Sequence, residues 1–331
     1  MVRCGADQSD TETTPCRSPS LSTAVSRLKG LRAWGAESES DMGSQENTYV
    51  LLTPVYNEEA HIEETIRSVA SQTVLPRKWV IISDGSTDGT DEIVKRHLPS
   101  YDFIRFVRRE KDQNRGFASK VAALRVGAQF LGSCEDPFVG HLDGDQSFNR
   151  SYFESLLDEF RKDPRLGIGG GWIAVKTAGD FRPRRENSPE SVCGGIQMFR
   201  RECYRDVGDL PPFEYGGEDW YAEVRARMFG WRVRSFPELE VRALRSAGER
   251  DGARLRYRFR EGYMDFALGT HPAFEVAKII RRIPVRPYLF GALARLFGFA
   301  KASVAGRRMV PKEFIAFLRQ EQMGRLRERC L

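Results

Sequence analysis

The chain has 331 residues, 40% of them hydrophobic, and a formal net charge of +6, enough for a sizeable core in one large α/β domain with additions or in two domains. The charge is unevenly placed: Arg242 to Leu331 holds 20 Lys and Arg against 8 Asp and Glu while the rest is slightly acidic, so the tail suits an anionic partner or a pair of solvated basic helices. Composition excludes a disulfide framework and a CxxC zinc site, because Cys4, Cys16, Cys134, Cys193, Cys203 and Cys330 are scattered. It also argues against a signal peptide and a membrane span, since no stretch reaches the roughly 18 uninterrupted apolar residues a span needs. A cytoplasmic protein, soluble or peripheral at the inner face of the membrane, is expected.

Residues 1–46 are rich in Ser, Thr, Asp, Glu and Gly without periodicity, which predicts a disordered leader. From Tyr49 the character changes. Tyr49-Val50-Leu51-Leu52-Thr53 is a short apolar run ending at Pro54, as a central parallel strand does. A helical pattern follows at Ile62, Ile66, Val69 and Ala70. Trp79–Ile82 predicts a second strand that runs into a turn-rich loop, Ser83–Thr90, where Thr87 or Asp88 can cap the next helix. A third strand is predicted at Phe103–Val107, a helix at about 117–130 after Asn114-Arg115-Gly116, and a fourth strand ending at Pro137-Phe138-Val139-Gly140. This alternation predicts βαβ units and a parallel sheet with right-handed crossovers. Such sheets bind ligands at the carboxyl ends of their strands, where the loops after strands one, two and four carry acids or amides.

Next come a helix near Ser151–Lys162 and Leu166–Ile173, a glycine-rich strand whose glycines would let a ligand approach the backbone. Residues 177–191 are polar and rich in Pro and Arg, which predicts a mobile loop. Gly194–Arg201 predicts a strand leading to a short helix, and Tyr215–Trp220 opens a helix over Tyr221–Phe229. Beyond Val241 the chain is expected to be helical and basic. Over 287–304 Leu289, Leu293, Leu296, Phe297 and Ala300 fall on one helical face, suited to packing on the body or to lying on a membrane interface. A last helix is predicted from about Pro311 to Glu328.

The chemistry centres on His141-Leu142-Asp143-Gly144-Asp145. Two carboxylates one residue apart at a strand tip can point oxygens at one hard cation, and Mg2+ or Mn2+ would keep positions open for substrate phosphates. Asp-Gly alone is also a common turn. Glu218 and Asp219 sit in a first helical turn, where acids favour the dipole whatever else they do.

In order, Thr53-Pro54-Val55-Tyr56-Asn57-Glu58, Ser83–Asp88, Asp143-Gly144-Asp145 and Gly217-Glu218-Asp219 resemble the signatures of the family-2 glycosyltransferases of the GT-A fold. Gly194–Gly208 is similar to that family's acceptor-side strand and helix. The resemblance covers Tyr49 to Arg245. It implies an α/β GT-A fold, with a Rossmann-like, mostly parallel sheet flanked by helices. The expected organisation is a leader over 1–46, a transferase domain over 47–245 and a basic, amphipathic helical extension over 246–331.

The implied activity is non-processive, inverting transfer of one sugar from a nucleotide-diphosphate sugar to a hydroxyl of a glycan or lipid-linked acceptor, in polysaccharide or surface-glycan assembly. By resemblance Asp145 binds the divalent cation directly and Asp143 contacts ribose or metal. Pro54, Tyr56, Glu58, Asp84, Lys120 and Gly144 line the nucleotide sugar, with UDP placed ahead of GDP. Asp219 is the general base and Glu218 its companion or an acceptor ligand. Trp220, Gly195, Arg242 and Arg245 are candidates for the acceptor or diphosphate, and Tyr215 and Trp172 for stacking on sugar faces.

Two departures from the pattern stand out. Many relatives carry a His some twenty residues after the Glu-Asp pair, whereas this chain has Val241-Arg242-Ala243-Leu244-Arg245. Metal is then held by Asp145 and phosphates, or Arg242 and Arg245 neutralise the diphosphate instead. The Gln-x-x-Arg-Trp signature of processive synthases is also absent. The competing readings are a nucleotide-sugar-binding or scaffold protein with lapsed catalysis and a sugar nucleotidyltransferase, whose Gly-rich basic loop is missing after strand one. The basic tail can meet an anionic membrane surface; it matches no nucleic-acid-binding module.

Overall fold

The computed structural model describes residues 48–110, 118–131, 136–177, 179–245, 254–284, 288–306 and 308–330. The expected leader, Asn114-Arg115-Gly116, Cys4, Cys16 and Cys134 lie outside them. The first half is built as predicted. Strands β1 (Tyr49–Val55), β2 (Lys78–Asp84), β3 (Ile104–Arg109) and β4 (Phe138–Leu142) alternate with helices α1 (Ile62–Ala70), α2 (Thr90–His97) and α3 (Ala118–Gln129). All adjacent pairs in the order β3-β2-β1-β4 are parallel.

The period-2 geometry of a strand sends neighbours to opposite faces. Tyr49, Leu51 and Val55 face one core with Ile62 and Ile66 of α1. Val50 and Leu52 face the other, with Ala123 and Leu124 of α3. A β1 buried on both sides has to be apolar throughout, which is why its sequence is one continuous run. The side chains can close over α3 because Gly127 has none: a Cβ there would stand 2.6 Å from Ile82 Cδ1.

Beyond β4 the sheet becomes mixed. It continues through β8 (Ile196–Arg200), β6 (Leu166–Thr177), β9 (Arg232–Ala243) and β5 (Gln146–Phe148), with β7 (Asp180–Pro183) paired to β6. Strand β8 is antiparallel to both β4 and β6, while β6 and β9 are parallel. The predicted parallel order thus holds up to β4. Strands β5 and β9 had no counterpart in the sequence reading: β9 alternates Arg and Glu with apolar residues because only part of it is covered. Part of the predicted mobile loop is a hairpin, with Lys176 opposite Phe181 and Val175 opposite Arg182. The glycines of β6 admit neighbouring protein: a Cβ on Gly171 would lie 2.0 Å from Leu239 O, and one on Gly169 2.9 Å from the Phe160 ring. The expected ligand approach there is corrected to packing.

Helices α4 (Tyr152–Lys162), α5 (Arg201–Val207) and α6 (Glu218–Met228) complete this body. The remainder is helical as expected: α7 (Arg254–Ala267), α8 (Pro272–Arg282), α9 (Tyr288–Ala305) and α10 (Lys312–Cys330). Phe314 of α10 stacks on Tyr221 of α6 at 5.0 Å between ring centres. Helices α7 and α9 touch backbone to backbone, since a Cβ on Gly262 or on Gly298 would come within 1.9 Å of the carbonyl of Arg295 or Phe259.

The face of α9 that packs consists of Gly291, Ala292, Arg295, Gly298 and Ala302. Arg295 is buried in ion pairs with Asp265, Glu275 (2.7 Å) and Glu261 (3.1 Å), as a buried charge requires. Leu289, Leu293, Leu296 and Phe297, the apolar stripe read from the sequence, are exposed. Packing of that stripe on the body is corrected: small residues allow the closer approach, and they lie on the opposite side.

Candidate active site

Four strand ends and one helix start converge. Strand β4 ends at Leu142, so Asp143-Gly144-Asp145 form the tip between β4 and β5. The Asp143 amide donates to Gly195 O at 2.9 Å, which pins the tip to the entry of β8. Gly144 fits under β1, because a Cβ would meet Val55 Cγ1 at 2.7 Å, and its carbonyl accepts from the Thr65 hydroxyl at 2.9 Å. His141, in the same stretch, belongs to the core. Its ring packs on Phe199 and Tyr204 at 5.0 and 5.6 Å. Burial, and then the charge of Lys120, push its pKa down to about 3, so it stays neutral.

Two cations tie the carboxylates into pairs. Lys120 Nζ lies 2.8 Å from Asp143 Oδ1 and 3.7 Å from Glu218 Oε1, and donates to Gly194 O at 3.1 Å. Burial opposes its charge, but Asp143, Glu218 and Asp219 together hold the ammonium well above its usual range. Burial raises the Glu218 carboxyl, with Lys120 pulling the other way. Arg245, just after β9, is ion-paired with Glu58 and places Nε 3.4 Å from Asp145 Oδ2. The other oxygen, Asp145 Oδ1, accepts from Gln146 Nε2 at 2.8 Å.

Gly217 caps the start of helix α6, and its left-handed φ of 101° is one that glycine adopts without strain. The turn places Glu218 and Asp219 first in the helix. Asp219 Oδ2 accepts from Gly194 N at 3.1 Å and Oδ1 from its own neighbour Trp220 N at 2.8 Å. A side chain on Gly194 would displace this carboxylate, since a Cβ there meets Asp219 Oδ2 at 2.6 Å. One turn on, the buried Glu223 accepts from Val192 N (2.6 Å) and the Ser191 hydroxyl (3.0 Å). Glu223 thereby anchors the segment that carries Gly194.

The sequence-predicted residues therefore divide. Glu58, Lys120, Asp143, Gly144, Asp145, Gly195, Glu218, Asp219 and Arg245 are drawn together. Asp84, at the end of β2, is buried and bonded to Arg109 at 2.7 Å. Pro54 and Tyr56 are half-buried at the end of β1. Trp172 donates to Ser235 Oγ at 3.0 Å, Trp220 meets the edge of Phe314, and Tyr215 packs against Tyr263 at 4.6 Å; each has a protein partner. Arg242 turns to Glu240 at 2.8 Å and lies over the Phe181 ring, so it does not join Arg245. Arg109, Gln146, Gly194 and Glu223 were missed. Gln146 directly follows Asp145 and Glu223 lies one helical turn after Asp219, so spacing alone could have flagged both. A cavity of about 680 Å³ lies elsewhere, lined by Arg227, Arg232, Glu321 and Arg325.

Among the described residues no three His, Cys, Asp or Glu side chains converge as a metal cage. The donor set present still suits a hard cation that shares its coordination with substrate phosphates. It offers two carboxylates one residue apart, and the buried Gln146 Oε1 beside them has no hydrogen-bond partner.

Open α/β sheets bind ligands at the carboxyl ends of their strands, and the acids of this mixed sheet are gathered at that edge. The glycosyl transferase family 2 model matches residues 50–221, and the chain belongs to that family. It is 33% identical to a chondroitin synthase of Escherichia coli over 116 residues, 35% of this chain and 16% of that protein. It is 25% identical to glycosyltransferase AglE of Haloferax volcanii over 197 residues, 55% of this chain and 62% of that one. The matched stretches thus span less than two thirds of either relative. The mannosyltransferase PcManGT of Pyrobaculum calidifontis, solved with GDP-Man and Mn2+, shares the fold with a TM-score of 0.50 and 20% identity, over 82% of this chain and 78% of that one.

Proposed function

We propose that this chain is an inverting, non-processive glycosyltransferase that moves one sugar from a nucleotide-diphosphate donor to a hydroxyl of a glycan or lipid-linked acceptor in polysaccharide assembly, at the cytoplasmic face of the membrane. The observation that carries the reading is the placement of Asp219. Two amide donors fix its carboxylate at the start of α6, and Lys120 joins the neighbouring Glu218 to Asp143. Asp219 takes the proton of the acceptor hydroxyl as that oxygen attacks the sugar from the face opposite the leaving diphosphate. Glu218 is the neighbouring acid that orients the acceptor, and Gly194 N keeps Asp219 aligned.

On the donor side, Asp143 and Asp145 would hold a divalent cation, Mg2+ or Mn2+, and Gln146 would add an oxygen. The cation supplies charge neutralisation to the departing diphosphate. Charge supports this: five carboxyl groups, from Glu58, Asp143, Asp145, Glu218 and Asp219, gather around two fixed cations, Lys120 and Arg245. A polyanionic donor is repelled by such a site unless it brings positive charge with it. Arg245 and Lys120 contribute once their carboxylate partners are engaged. Asp84 and Glu58 meet ribose and base, with a uridine donor placed before a guanosine one.

The deciding experiment is calorimetric titration with UDP, GDP and dTDP, each with and without Mn2+. Manganese-dependent binding of one nucleotide supports the reading and names the donor. Tight binding without metal moves the phosphate role to Arg245 and Lys120. A folded protein that binds none of the three is not a nucleotide-sugar transferase.

A further inference from the structure

Helix α9 has two faces of opposite character. One, built of small residues and Arg295, is packed against α7. The other carries Leu289, Phe290, Leu293, Phe297 and Val304, which are between 48% and 91% exposed. At 3.6 residues per turn these five lie on one side, opposite the buried stripe. The helix before it, α8, adds Val276 and Ile280, 51% and 60% exposed. Folding alone has no reason to leave so much large apolar surface in water.

The charges beside it have one sign. Between Pro272 and Gly306 the sequence holds six Lys and Arg and a single acid, Glu275, and that acid is buried against Arg295. Arg281 and Lys301 are exposed. An apolar face flanked by exposed cations and lacking exposed carboxylates is complementary to an anionic lipid surface. A second protein copy would have to bury the same positive charge against itself.

We propose that α8 and α9 form an interfacial docking surface for an anionic lipid bilayer, with the Leu289–Phe297 side of α9 lying in the headgroup region. The helix has the length and apolarity to cross a membrane, with a mean hydropathy of 1.2 over 18 residues. It lies in the surface rather than across it. Its other side holds Arg295 in a cluster with Asp265 and Glu275, and lipid does not accommodate such a charged group. The inference stands on this surface alone and holds whether or not the carboxylate cluster transfers sugar.

The test is co-sedimentation of the full chain with phosphatidylglycerol vesicles and with phosphatidylcholine vesicles. The double variant Phe290→Glu/Phe297→Glu and the milder Phe297→Ser are run beside the wild type, with circular dichroism as the control of folding. Wild type should bind phosphatidylglycerol at least about tenfold better than phosphatidylcholine. It should lose several-fold when salt rises from about 0.1 M to about 0.5 M. The double variant should lose about tenfold or more, and Phe297→Ser a smaller amount in the same direction. If the double variant is unfolded, Phe297→Ser decides. The proposal is overturned if wild type stays in solution with anionic vesicles, or if the folded variants bind as wild type does. A wild-type dimer that the double variant turns into monomers, without vesicle binding, also overturns it and gives the face to a second copy of the chain.

Discussion

Lys120 Nζ stands 2.8 Å from Asp143 Oδ1 and 3.7 Å from Glu218 Oε1, so one ammonium joins the tip after β4 to the start of α6. Replacing it by Met leaves the two carboxylates facing each other without a cation. We expect Lys120→Met to weaken nucleotide binding about tenfold or more, because the donor diphosphate then meets a more negative site. Calorimetric titration at constant Mn2+ checks this; affinity equal to wild type would remove Lys120 from the donor side.

Asp219→Asn keeps an oxygen to accept from Gly194 N but removes the proposed base. Turnover should fall by about 10²- to 10⁴-fold, while the affinity for nucleotide changes little. Transfer assays run alongside nucleotide titration separate the two. A variant that transfers at the wild-type rate would falsify the assignment of Asp219.

Arg245 occupies the neighbourhood in which many relatives are expected to carry a His. It is paired to Glu58 and lies 3.4 Å from Asp145, so it competes with any cation for that carboxylate. Arg245→His removes the competitor and supplies a neutral nitrogen ligand. Manganese should bind about tenfold more tightly, at a cost in thermal stability from the lost ion pair between Arg245 and the buried Glu58. Both are readable by metal titration and by melting in the apo state.

Burial, opposed by Arg227, pushes the Glu223 carboxyl from 4.5 up to about 8. Between those values the folded protein holds a proton that the unfolded chain has released. This group's contribution to stability therefore declines as pH rises through that window and levels off above it. Gln at position 223 can still accept from Val192 N and has nothing to titrate. The melting temperature of wild type should fall from pH 5 to pH 8 relative to Glu223→Gln, by several degrees. Parallel curves would show that Glu223 is ionised throughout.

Gly298→Ala would bring a Cβ to 1.9 Å from Phe259 O. No rotamer relieves a contact with backbone, so α7 and α9 have to part. A loss of about 1–3 kcal/mol is expected, measurable by denaturant unfolding.

What was legible in the sequence follows the physics of each segment. Strands β1 and β2 are buried on both faces, so their apolar runs, Tyr49–Leu52 and Trp79–Ile82, are unbroken and identify them. The order of strands and acids then placed Asp143, Asp145 and Asp219 at one edge. Strand β9 was illegible because its alternation of Arg and Glu with Phe, Leu and Val looks like a polar connector until β6 is set beside it. Arg242 and Arg245, three residues apart, could not be told apart: β9 ends at Ala243, and only Arg245 clears the strand to reach Glu58. The stripe on α9 was seen, but its direction was not, since periodicity shows that a helix has two sides and not which one meets protein.

The bare contact between α7 and α9 makes the two helices one mechanical piece. Backbone meets backbone at Gly262 and Gly298, and Arg295 of α9 is ion-paired with Glu261 and Asp265 of α7. Helix α7 also carries Met264, whose sulfur would sit 2.6 Å from a Cβ placed on Gly217, the residue from which Glu218 and Asp219 hang. The outer side of α9 is thus joined to the acids through one pair of helices and the contacts made around Gly217 by Met264 and Leu268 and by Tyr263 on Tyr215.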